Sequence, residues 1–88
     1  MPTVSMFFGI IVLMHYEKHE RHHAPHLHAT YAEFEVVLDF EGNLLAGKFP
    51  RRQMTLLQAW IVLHRTELEA DWSILMNDGE VFRIDPLR

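Results

Sequence analysis

The chain has 88 residues, 49% apolar and 23% charged, which suits one compact domain over residues 1–88 and excludes an intrinsically disordered chain. It contains no cysteine, so disulfides, thiolate metal centres and thiol nucleophiles are excluded, and any bound metal takes nitrogen and oxygen ligands. The formal charge of −4 with neutral histidines argues against broad, phosphate-driven binding of nucleic acid.

The apolar run MFFGIIVLM, Met6–Met14, is far shorter than the roughly 20 residues of a spanning helix, and it lacks the basic start of a signal peptide. The expectation is a cytoplasmic protein with no membrane segment. Residues 7–16, FFGIIVLMHY, are aromatic and β-branched and read as one strand covered on both faces. EKHERHHA, 17–24, is a polar loop, and Pro25 pushes Ala24 into an extended conformation. HLHATY, 26–31, reads as a short strand, Ala32-Glu33 as a two-residue turn, and FEVVLDF, 34–40, as a strand. EGN turns the chain at 41–43, and LLAGKF returns it at 44–49.

Pro50 ends the sheet, and the period then becomes helical. Met54, Leu57, Ile61, His64, Leu68, Trp72 and Leu75 step by three or four residues, which predicts one helix over 51–76. NDG at 77–79 closes it, and VFRI at 81–84 allows a short final strand in the 77–88 tail. The predicted fold is α+β: an antiparallel meander of three to four strands packed against one long C-terminal helix. One helix covers one sheet face. The other, partly apolar, face predicts a homo-oligomer or a small protein partner.

Six of the seven histidines fall between His15 and His28. On a strand, His26 and His28 share a face about 7 Å apart, so their rings can converge on one ion or one substrate. His22 lies just upstream in a loop stiffened by Pro25, and His64 lies on the helix. His22, His26, His28 and His64 are therefore the candidate ligands of a divalent transition metal, Zn, Ni, Cu or Fe. Without metal, His26 and His28 suit general acid–base catalysis, because an imidazole titrates near neutrality. Strand alternation equally places two histidines on a wet face. His15, His19 and His23 read as solvated loop residues. On the helix, Glu67 and Asp71 follow His64 at i+3 and i+7, where they suit a supporting carboxylate. Protonating all seven histidines would move the formal charge from −4 to +3. Lys48, Arg51 and Arg52 straddle Pro50 where cations oppose the helix dipole, which suggests service to an outside anion or an acidic partner.

The opening MPTVSMFFGIIVLM, the HxxPHLHA pattern from His22 to Ala29, the W-x3-H-x2-E-L-x2-D-W pattern from Trp60 to Trp72 and the closing IDPL together resemble a bacterial family known as domain of unknown function 4160. The resemblance spans nearly the whole chain. It implies a small cytoplasmic prokaryotic protein, often encoded beside another small protein in a toxin–antitoxin-like arrangement, and no established reaction. By position it carries over to His22, Pro25, His26, His28, Trp60, His64 and Trp72. The chain departs from the pattern at Ala32, where glycine is common, and in the longer, histidine-rich EKHERHH, so His19 and His23 take no family role.

The leading expectation is a partner-binding component of a toxin–antitoxin-like pair. The alternatives are an RNase-like hydrolase built on His26 and His28, with or without metal, and a metal-binding module without turnover. RNA is a possible partner of the hydrolase, with Arg51 or Arg52 meeting phosphate charge.

Overall fold

A computed structural model describes residues 2–17 and 24–88. Five strands form one antiparallel sheet in the order of the chain: β1 (Thr3–Phe7), β2 (Ile10–Leu13), β3 (His26–Tyr31), β4 (Phe34–Asp39) and β5 (Leu44–Lys48). Two helices follow, α1 (Arg51–Leu63) and α2 (Arg65–Met76). This corrects the expectation of three to four strands against one long helix, and each difference has a local cause.

The first difference is a hairpin where the sequence reads one strand. Phe8 and Gly9 take positive φ, 48° and 81°, the requirement of a two-residue turn whose twist matches its strands. Gly9 meets it without strain, and a Cβ there would lie 2.9 Å from the ring of Tyr31. Apolar residues on both sides of the turn hid it, because β1 and β2 are each buried on their inner side and flank the turn directly.

The second difference is a break at His64, whose φ of −120° and ψ of 22° leave the helical region. Its N–H points at the carbonyls of both Trp60 (3.0 Å) and Ile61 (3.3 Å), which tightens the last turn of α1. One bent residue turns the axis without changing the sequence spacing of the apolar positions. Periodicity therefore runs through the break unaltered, from Leu57 and Ile61 to Leu68 and Trp72.

The third difference is the tail. Residues 81–84 form no strand; a single backbone bond, Ile84 N–H to the Val4 carbonyl (2.8 Å), ties them to β1. Helix α2 ends in a Schellman motif with Asp78, not glycine, at positive φ (61°). Gly79 N–H reaches the Ile74 carbonyl (2.8 Å) and Asp78 N–H the Leu75 carbonyl (3.1 Å).

The core follows strand alternation. Val12, Ala29, Val36 and Leu38 point inward from neighbouring strands and meet Leu57, Trp60, Ile61, Leu68 and Trp72 of the helices. Trp60 is fully buried, with its ring 5.3 Å from Phe7 and its Nε1–H on the Asp85 carbonyl (2.8 Å). Each such large apolar side chain contributes roughly 1.5–3 kcal/mol of burial. At the far edge, Gly47 takes φ 81° beside a register shift, and a Cβ there would collide with the carbonyl of Glu35.

Candidate functional site

The turn at Ala32-Glu33 fixes which side each histidine takes. It pairs Tyr31 with Phe34 and so His28 with Val37 and His26 with Asp39. Leu27 and Ala29 then face the helices, while His26, His28 and Thr30 face the other way. Across β2, His28 pairs with Leu13, and His15 lies two residues further along the same side.

The rings form a row. His15 and His28 lie with centroids 5.5 Å apart, and His28 and His26 with centroids 5.3 Å apart. His26 in turn packs 5.2 Å from Trp72, which also meets Tyr16 edge-on at 5.5 Å and Phe40 at 6.1 Å. The row thus runs from the outer sheet face, around the end of β3, into the aromatic packing of α2. His26 donates from Nδ1–H to the Ala24 carbonyl (2.9 Å), so its Nε2 carries the lone pair and is the atom able to accept a proton or ligate. The backbone before Pro25 thereby orients the His26 ring.

His15 is the residue that sequence reasoning missed. It reads as one of the solvated loop histidines although it lies at the end of the apolar stretch 7–16, two residues before the polar run begins. Its signal was its parity with Leu13, which becomes legible only once the β2–β3 register is known.

His64 stands apart from the row. At the junction of α1 and α2 it stacks 5.5 Å from Trp60 and donates from Nδ1–H to Glu67 Oε1 (2.8 Å). The supporting carboxylate suggested by the i+3 spacing is thus in place, and it leaves Nε2 as the lone-pair atom of His64. Among the described residues no three His, Asp or Glu side chains are grouped to hold a metal ion, so His26, His28 and His64 do not form such a set together. His22, His19 and His23 lie outside the described residues.

Lys48 also lies away from the row. Lys48 pairs with Glu35 across β4 and β5, two residues beyond the Val37–Ala46 pair that flanks His28. That is about 7 Å along the strands and about 10 Å across them. Arg51 and Arg52 are exposed in the first turn of α1, where no acidic side chain offsets them. None of the three forms an ion pair among the described residues.

The outer face around His28 is largely apolar. Ile11, Leu13 and Val37 are half-buried, Met6 is 53% exposed and Ala46 is exposed, and both helices lie on the opposite side. Its border at the β4–β5 turn is tied by hydrogen bonds. Asp39 accepts the N–H groups of Glu41 and Asn43 (both 2.9 Å) and the Asn43 side-chain amide (3.0 Å). Desolvation pushes its carboxyl upward, but these bonds and the Arg65 charge outweigh it and hold the group below the ordinary aspartate value. Next to this turn a cavity of about 230 Å³ is lined by Pro25, Phe40, Glu41, Arg65 and Glu69, where Arg65 reaches Glu69 (3.4 Å) and Glu41 (3.5 Å).

The family model described as a domain of unknown function (DUF4160) matches residues 9–73, from the β1–β2 turn through Trp72. No curated protein and no solved structure matches the chain. No helix among the described residues is long and apolar enough to cross a membrane.

Proposed function

The chain belongs to the DUF4160 family, and we propose that it is the partner-binding component of a toxin–antitoxin-like pair in the cytoplasm, docking a small protein on the outer face of its sheet. The observation that carries this reading is the make-up of that face. Met6, Ile11, Leu13, Val37 and Ala46 form an apolar area across four strands, with His28 at its centre and Glu35 and Lys48 at its rim. The patch is interrupted by His28 and by Thr30, which pairs with Ile11, and mainly apolar contact inside a charged rim is the usual anatomy of a protein interface. The inward residues of β1–β4 are the ones that form the core with the two helices, so the outer face serves no folding purpose that would require it to be apolar.

The test is co-expression with a small protein encoded beside this one, the arrangement that the family resemblance implies. The pair should co-elute, and Leu13→Glu/Val37→Glu should separate them while each chain remains folded. A complex that survives the double substitution excludes this face. A self-assembled species that the same substitution dissolves would mean that the partner is a second copy.

The contact of His15, His28 and His26 supports a second reading, a hydrolase of the RNase type with His26 and His28 as general base and acid. A metal-dependent version adds His22 and a Zn, Ni, Cu or Fe ion that activates water. Elemental analysis of untagged protein distinguishes the two versions. Stoichiometric metal that disappears in His26→Ala/His28→Ala supports the metal site, and RNA left intact on long incubation removes the hydrolase.

A further inference from the structure

Asp71 is the one carboxylate among the described residues that is fully buried, at 0% exposure. It sits on α2 between Leu68 and Trp72, positions that belong to the core. Its Oδ1 accepts the backbone N–H of Phe82 (3.1 Å), and its Oδ2, equally buried, has no hydrogen-bond partner among the described residues. A buried carboxylate ordinarily gathers two or three donors, because a charge taken out of water without them is costly. The group that Asp71 does hold is the C-terminal segment. That segment has no strand or helix of its own and is fastened at three points: Phe82 to Asp71, Ile84 N–H to the Val4 carbonyl (2.8 Å), and the Asp85 carbonyl to Trp60 Nε1–H (2.8 Å). Ile84, 4% exposed, plugs the core between them.

We infer that Asp71 is a proton-dependent latch for this segment: uncharged, it holds residues 80–85 against α2 and β1, and charged, it favours their release. The uncharged acid keeps an oxygen for the Phe82 N–H and places no charge in the core. The carboxylate gains hydration only if the segment lifts. Neighbouring charges reinforce this. Glu67, one turn earlier on α2 and bonded to His64, adds negative charge toward Asp71. β1 brings no charged residue, α1 carries its only charges, Arg51 and Arg52, in its first turn, and Glu80, Arg83 and Asp85 of the segment are exposed to solvent. Desolvation first, then the Glu67 charge, raise the Asp71 carboxyl above the ordinary aspartate range, against the lowering effect of the Phe82 bond. The sign follows: with the docked value above the open one, docking is complete below the open value and weakens as pH rises through the docked one. A single linked proton changes the opening constant by at most about tenfold per pH unit between those values. Opening would bare the Val4 carbonyl and the Trp60 indole N–H.

The test is amide hydrogen exchange by NMR on the full chain as a function of pH, expressed as protection factors. Phe82 and Ile84 should lose protection as pH rises across the Asp71 titration, read independently from its carboxyl carbon shift, while Val12 and Ala29 in the central sheet keep theirs. The wild-type measurement needs no variant. In Asp71→Asn the dependence should vanish. Protection at Phe82 and Ile84 that is flat with pH, that changes only in step with Val12 and Ala29, or that keeps its dependence in Asp71→Asn, overturns the latch.

Discussion

The two faces of β3 show how one strand serves two ends. Leu27 and Ala29 point inward, are fully buried, and meet side chains of both helices. His26 and His28, one residue out of step, point to a side where Leu13 and Val37 are only half-buried and where the two imidazoles meet edge to face. The inner face is specified by volume and burial, so its residues answer to stability. The outer face combines apolar contact with imidazole rings, and under the proposed function its residues answer to recognition. A one-residue slip in register would exchange the two roles, which is why the turns that set register matter as much as the side chains they place.

The sharpest way to break this contrast is a pair of truncations on the same strand. Leu27→Ala should cost about 3 kcal/mol in urea unfolding, and its neighbour His28→Ala less than about 1 kcal/mol. Equal costs would mean that the outer row is structural. Next in size is Gly47→Ala, expected to cost about 2 kcal/mol because positive φ and the Glu35 carbonyl both oppose a Cβ. A thermal melt that leaves Gly47→Ala near wild type would show that the β4–β5 register can shift freely. Asp39 at the border of the outer face gives a pH test. Its folded value is lowered, so its contribution is complete above the ordinary aspartate value and is lost as pH falls through the folded one. Melting temperature followed from about pH 5 to pH 2 should therefore fall less in Asp39→Asn than in wild type. The smallest effect belongs to the turn between His28 and Val37. Ala32 takes φ 51°, and Ala32→Gly should raise stability by about 0.5 kcal/mol, with no change in outer-face chemistry. A loss of stability would show that Ala32 is not strained.

These particular residues also show what was legible in the sequence. Strand 26–31, strand 34–39 (read as 34–40 from its β-branched and aromatic residues) and the turn between them were legible, and so was the shared side of His26 and His28. The Phe8-Gly9 turn was hidden because apolar residues continue on both sides of it, leaving no change of polarity to mark a reversal. The break at His64 was hidden because it bends the axis and keeps the period. His15 was hidden because facing depends on pairing with a distant strand, and Asp71 because its burial is imposed by a tail with no periodicity of its own. Local pattern carries the elements. The site arises where elements meet, and that information is non-local.

The most direct test of the central claim is methyl cross-saturation NMR on the chain bound to the small protein partner proposed for it. Saturation should transfer from the partner to Met6, Ile11, Leu13 and Val37 and spare Leu27, Leu57 and Leu68. Transfer centred instead on the exposed Val62 and Leu63 of α1, with Ile11, Leu13 and Val37 untouched, would contradict it.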